Sequence, residues 1–218
     1  MPIYQLGSEL IFPEASLASD DGLLAVGGDL SPERLVLAYQ NGIFPWFEDD
    51  EQIMWWSPNP RLILELNEFK VSKSLKRIIN SNKFDVKLNT CFTDVIEACS
   101  STNRKGEDGT WITEGMKEAY IKLHKLGIAY SVEVFENKQL VGGLYGLAIG
   151  KIFCGESMFH KVSNASKVAL YYLVDILKEN NFNFIDAQTP TNHLISMGAK
   201  EISRETFLSR LKNNTKNL

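Results

Sequence analysis

The spacing of apolar and polar positions divides the chain into two unlike parts. In the first sixty residues the apolar runs are short and often broken. Ser31-Pro32 has the form of a helix start, an N-cap followed by proline at the first helical position. Leu35, Leu37, Ala38 and Tyr39 follow, and Gly42 suits the stop. Ile53-Met54-Trp55-Trp56 and Leu62-Ile63-Leu64 predict short strands. Ser57-Pro58-Asn59-Pro60 separates them, because proline cannot support a central ladder. This pattern predicts a small α/β unit over residues 1–66.

From about Asn67 the periods lengthen. Ser72 predicts a cap for a helix with Leu75, Ile78 and Ile79 on one face. Thr93 predicts another, carrying Val95, Ile96 and Cys99. Thr113 predicts a third, with Met116, Ala119, Tyr120 and Leu123, ended by Gly127. Three strand-like runs follow at 128–135, 139–149 and 152–159, with turns at Asn137-Lys138 and Gly150-Lys151. A helix over roughly 164–178, a strand at 182–187 and short helices near 193–197 and 205–211 complete the chain. Helices, an antiparallel meander, a helix and a further strand give an α+β pattern over residues 67–218.

Composition changes this picture in two places. At 218 residues, 44% hydrophobic and 23% charged, the chain can bury a real core, which excludes a disordered tail protein. Lys plus Arg is 23 against 27 Asp plus Glu, a net charge of −4. That argues against wholesale basic nucleic-acid binding and leaves room for a local basic patch. Cys91, Cys99 and Cys154 are odd in number and form no CxxC pair. A disulfide framework or zinc ribbon is therefore not expected, and a reducing cytoplasm is. No apolar run approaches the ~20 residues of a membrane helix. Met1-Pro2-Ile3-Tyr4-Gln5 lacks the start of a signal peptide. The polar tail from Lys212 to Leu218 is expected to fray.

Candidate chemistry is sparse. Glu156 stands in the apolar strand Cys154-Gly155-Glu156-Ser157-Met158-Phe159. A carboxylate there must face solvent or find partners; taken alone, an outward-facing strand position is the plainer reading. Asp186 and Gln188 lie two apart near a strand's end, hence on one face. An acid with an amide can hold an amine, align an ester carbonyl or pass a proton. It can equally cap a strand that turns at Thr189-Pro190, and spacing does not choose between the two. His124, His160 and His193 have no metal-ligand spacing, and His124 reads as solvent-facing. Cys154, between Phe153 and Gly155, reads as a buried thiol. Gly27-Gly28-Asp29 and Gly142-Gly143-x-x-Gly146 match no phosphate loop and read as turns and close strand packing. Lys73, Lys76 and Arg77 share a helix face by i, i+3, i+4 spacing, with Lys70, Lys83, Lys87 and the Arg104-Lys105 pair nearby. A solvated face is the default for such a cluster; a phosphate-contact surface is the sharper reading. Glu48-Asp49-Asp50-Glu51 forms a separate acidic tip.

Longer blocks are more specific. Gly22-Leu23-Leu24-Ala25-Val26-Gly27-Gly28-Asp29-Leu30, Gly42-Ile43-Phe44-Pro45-Trp46-Phe47 and Trp55-Trp56-Ser57-Pro58-Asn59-Pro60-Arg61 resemble the N-terminal signature of bacterial leucyl/phenylalanyl-tRNA–protein transferases. Trp111-Ile112-Thr113, residues 153–159, Asn164-Ala165-Ser166-Lys167, Ile185-Asp186-Ala187-Gln188 and Ser196-Met197-Gly198-Ala199 match that family's later blocks in order. The resemblance covers nearly the whole chain.

It implies a small N-terminal α/β domain and a C-terminal domain similar to the GNAT acetyltransferase fold. It implies transfer of Leu, Phe or Met from aminoacyl-tRNA to the N-terminal Arg or Lys of acceptor proteins, which marks them for N-end rule degradation. By the same resemblance Asp186 and Gln188 match the reaction centre and Glu156 its acidic partner. Asp186 would orient the acceptor amine or draw off its proton, Gln188 would polarise the developing oxyanion, and Glu156 would bind a cationic group. Trp111, Leu144, Met158, Leu173 and Ile185 would form an apolar pocket for the donor side chain. Trp111 and Tyr120 could stack on the terminal adenine. Lys73, Lys76 and Arg77 would contact tRNA. No metal or cofactor is implied, and a monomer away from membranes is expected. The alternative is a CoA-dependent N-acetyltransferase. Against it, His160-Lys161-Val162-Ser163-Asn164-Ala165 has no glycine where a pyrophosphate loop would need one.

Overall fold

The computed structural model describes residues 3–48, 52–102 and 112–215. Trp111, Arg104, Lys105, the acidic positions 49–51 and residues 216–218 lie outside them. The architecture is α+β, built on two sheets.

The smaller sheet has the order β1 (Tyr4–Leu6), β2 (Leu23–Gly27), β4 (Met54–Trp56), β3 (Phe44–Pro45). Its first pair is parallel and the others antiparallel. Helix α1 (Pro32–Gln40) begins as expected, with the Ser31 side chain accepting from the Arg34 N–H.

The larger sheet begins with β5 (Arg61–Glu65), then takes β6 (Asp85–Leu88), β7 (Ala129–Glu136), β8 (Gln139–Ile149), β9 (Ile152–His160), β10 (Phe184–Gln188) and β11 (Lys200–Ile202). Their spatial order is β11-β5-β10-β9-β8-β7-β6. The sequence pattern places a break near residue 66. The chain changes sheets earlier, at Ser57-Pro58-Asn59-Pro60, because β5 pairs with β10 and β11. β7, β8 and β9 form the expected meander, and Asn137 and Lys138 both take positive φ in the first turn. β9 and β10 run parallel, joined by the crossover helix α5 (Ala165–Glu179).

Helices cover both faces of this sheet. α2 (Lys73–Asn80) is capped by Ser72 and α4 (Glu114–Lys125) by Thr113. α3 (Phe92–Ser100) starts at Cys91 rather than at Thr93, which lies inside its first turn. α6 (Asn192–Ser196) is short, and α7 (Arg204–Thr215) runs longer than its apolar pattern predicts. One core joins the small sheet, α1, α3, α4 and one face of the large sheet through Leu24, Trp55, Val95, Leu123 and Leu147. The other packs α5 on the opposite face through Leu64, Val132, Leu170 and Ile185. His124 is half-buried, stacked 4.3 Å from Phe92 and donating from Nδ1 to the Ala129 carbonyl, so the solvent-facing reading is corrected.

Candidate active site

A cleft of about 450 Å³ opens at the C-terminal ends of β9 and β10. Its apolar wall includes Leu144, Met158, Leu173 and Ile185, four of the five side chains expected for a donor pocket. The fifth, Trp111, lies outside the described residues. The sequence reading missed three contributors from the small sheet, Phe44, Pro45 and Trp46. Trp46 is 45% exposed and stands against Trp56 at 5.7 Å. Its exposure is not written in the sequence; the signal available was its place in the Gly42-Ile43-Phe44-Pro45-Trp46-Phe47 block.

The polar floor comes from two strand irregularities. β9 is bulged where Tyr145 pairs with Ser157 while Gly146 pairs with Gly155, leaving Glu156 as the extra residue. The bulge needs glycine at 146, since a β-carbon there would run into the Cys154 carbonyl oxygen. β10 shifts register between Asp186 and Gln188, and Gln188 takes a positive φ of 61°. That turn brings the Gln188 side chain to Glu156, where Nε2 donates to Oε1 at 2.8 Å. Tyr120 donates its hydroxyl to Glu156 Oε2 at 3.1 Å, and Tyr39 lies 2.5 Å from that hydroxyl. Burial pushes the Glu156 carboxyl up to about 7, while the Tyr39, Tyr120 and Gln188 hydrogen bonds pull the other way. Glu156 and Gln188 both reach the cleft at 8% exposure.

Asp186 occupies a different place from the one its spacing suggests. It is 1% exposed and held by Arg61, with Nε to Oδ1 at 2.8 Å and Nη2 to Oδ2 at 2.6 Å. Oδ1 also accepts the Gln188 backbone N–H at 3.1 Å. With both oxygens taken, Asp186 is a brace beneath Gln188 rather than a group facing an acceptor amine. Arg61 itself lies between the rings of Phe44 and Phe207, at 4.8 and 4.5 Å, and donates to the Gly42 carbonyl. An arginine heading the apolar run Arg61-Leu62-Ile63-Leu64 was the legible sign of this pair.

Tyr120 is also corrected. Its ring is wholly buried and its hydroxyl is engaged by Glu156, so it cannot stack on a base. Burial pushes the Cys154 thiol well above its ordinary value, as do the Asp186 and Glu156 charges, which suits a core thiol and not a nucleophile. Lys73, Lys76 and Arg77 are exposed on α2, and none forms an ion pair with a described residue. Lys83 and Lys87 do pair, with Glu136 and Asp85. Among the described residues, no group of three His, Cys, Asp or Glu side chains could hold a metal ion. No helix of the described residues is long and apolar enough to cross a membrane.

Comparison with known proteins brings this geometry into a family. Residues 63–212 match the profile of leucyl/phenylalanyl-tRNA protein transferase, and residues 28–59 match that of its N-terminal domain. A leucyl/phenylalanyl-tRNA–protein transferase of Syntrophobacter fumaroxidans is 54% identical, over 98% of this chain and 92% of the relative. One from Flavobacterium psychrophilum is also 54% identical, over 95% and 98%. Among solved structures, L-PGS from Bacillus licheniformis aligns with a TM-score of 0.45 at 14% identity, over 78% of this chain and 56% of that one. A GCN5-related N-acetyltransferase from Kribbella flavida aligns at 0.41 and 9%, over 82% and 63%. Two family profiles in chain order, and relatives matched along almost their whole length, show that the chain belongs to the leucyl/phenylalanyl-tRNA–protein transferase family.

Proposed function

We propose that this chain transfers Leu, Phe or Met from aminoacyl-tRNA to the N-terminal Arg or Lys of acceptor proteins, marking them for N-end rule degradation. The observation that carries this reading is the cleft itself, an apolar wall ending on a buried carboxyl–amide pair. The donor side chain fits against Leu144, Met158, Leu173 and Ile185. That leaves its ester carbonyl near Gln188, and the terminal adenine can stack on exposed Trp46.

The acceptor α-amine, with a pKa of about 8, must lose a proton before it can attack. Glu156, with its carboxyl pushed up to about 7, is matched to take that proton at neutral pH. The amine nitrogen bonds to the ester carbon, and the negative charge gathers on the carbonyl oxygen beside the Gln188 amide. The carbon–oxygen bond to the ribose then breaks, and the proton held on Glu156 goes to the departing ribose oxygen. The freed carboxylate takes the extra proton from the attacking nitrogen, which leaves a neutral amide, and releases it to solvent. Glu156 thus takes over the proton-handling role that the family resemblance implied for Asp186, while Asp186 holds Gln188 in place. The ester is already activated, so orientation supplies much of the rate.

The α2 cations Lys73, Lys76 and Arg77 contact tRNA in this reading, and the protein works as a monomer in a reducing cytoplasm. Three free cysteines support that compartment. The order of meander, crossover helix and parallel strand supports an acetyltransferase-like reading of the larger part. The test is transfer of label from Leu-tRNA to a peptide beginning with Arg. Label should move, RNase should abolish the transfer, and acetyl-CoA should make no difference. Folded protein that moves no label overturns the proposal.

A further inference from the structure

At the mouth of the cleft lie one lysine and two histidines that the transfer scheme leaves unused. β9 and β10 are parallel, so their C-terminal ends and the start of α5 meet at one edge of the sheet. His160 ends β9, two residues after cleft-lining Met158 and therefore on the same face. Lys167 stands in the first turn of α5, three residues before cleft-lining Leu170 and so beside it on the helix surface. His193, on α6 after β10, lines the cleft directly. Gly142 pairs with His160 across the sheet, and its missing side chain lets Ala165 pack against it, which draws the first turn of α5 to this edge. Burial, then the charges of Lys167 and His160, holds His193 below its ordinary value, so near neutral pH its ring offers an N–H donor and not a second positive charge. Among the described residues no carboxylate forms an ion pair with any of the three, although Lys167 and His193 are both half-buried. A partly desolvated lysine without a counter-charge, beside two imidazoles that can donate N–H groups, favours an incoming anion.

We propose that Lys167, His193 and His160 bind a phosphodiester of the donor's 3′-terminal nucleotides at the mouth of the aminoacyl cleft. This rests on the aminoacyl-tRNA reading above. Position and sign both select the donor. With the ester carbonyl at Gln188, the leaving ribose points toward the cleft mouth, and its own phosphate is the nearest obligatory anion of the reaction. The acceptor brings an N-terminal ammonium and a basic side chain, which Lys167 repels. The site is separate from the cation face of α2, so it grips the tip of the strand rather than the body of the tRNA.

Two short donors test it: aminoacyl-adenosine without phosphate, and the aminoacylated CCA trinucleotide. In the wild-type protein the trinucleotide should be preferred in kcat/KM. Lys167→Ala and the Lys167→Ala/His160→Ala pair should lower that preference about tenfold, mainly through the trinucleotide's KM. A preference unchanged in both variants overturns the site, even if both donors slow together. Wild-type protein that uses neither short donor is given Leu-tRNA, and failure there overturns the transfer reading instead. The site is then judged by imidazole NMR of the folded wild type with adenosine 5′-monophosphate against adenosine. Shifts at His160 and His193 with the monophosphate alone support it, and no shift overturns it.

Discussion

At Glu156 the burial that restricts access to solvent also sets the affinity for the proton. The ordinary carboxyl value of 4.5 rises to about 7 in the folded chain. A raised carboxyl favours the fold below pH 4.5, and that contribution is lost as pH climbs through 7. Urea unfolding of wild type and Glu156→Gln should therefore diverge across that window, by on the order of 3 kcal/mol. Parallel stability curves would show that the carboxyl is not shifted. The same variant should lose transfer at every pH, since an amide takes no proton. For Gln188→Ala the expectation is a fall in kcat on the order of 100-fold with tRNA affinity retained, the pattern for a lost oxyanion donor. A matching loss of affinity would assign Gln188 to recognition.

At the scale of elements, the cation face of α2 makes its own prediction. Replacing Lys73, Lys76 and Arg77 with alanine should weaken tRNA binding and flatten its salt dependence. The slope of log K against log salt should fall by about 0.7–0.9 for each phosphate contact removed. An unchanged slope would return this face to solvent. Elements of this kind are legible because their signals are local. Ser31, Ser72 and Thr113 were readable as caps since each binds an N–H three residues ahead. Thr93 misled because Cys91, a poor cap residue by type, starts α3 without a side-chain bond. β1, β6 and β11 went unread because they are short strands, three or four residues each, with little alternation to see. Glu156 and Gln188 could be singled out as polar groups in apolar strands. That each sits on a register shift could not, since a bulge is defined by the partner strand.

Across the whole molecule, the site belongs to both sheets. Phe44, Pro45 and Trp46 wall a cleft whose floor lies in the larger sheet, and a single core runs between the two. Arg61 and Asp186 are 125 residues apart in sequence, so an arginine in an apolar run could signal a buried partner but not which carboxylate it is. Removing one partner leaves a buried charge alone, so Arg61→Leu should destabilise by about 3–5 kcal/mol in urea unfolding. The double variant Arg61→Leu/Asp186→Leu should recover most of that stability, since apolar replacement of a buried pair is often neutral. It should not recover transfer, because Gln188 then lacks its brace. Recovered transfer would reduce the pair to packing. The net charge of −4 is compatible with a tRNA substrate because the cations are local, on one helix face and at the cleft mouth, and not because the surface is basic.

The setting of Arg61 also ties the reaction centre to a helix that never touches the cleft. Its guanidinium is covered by Phe44 on one side and by Phe207 of α7 on the other, whereas no described residue of α7 lines the cleft. Removing α7 therefore uncovers the Arg61–Asp186 pair while leaving every cleft-lining side chain in the sequence.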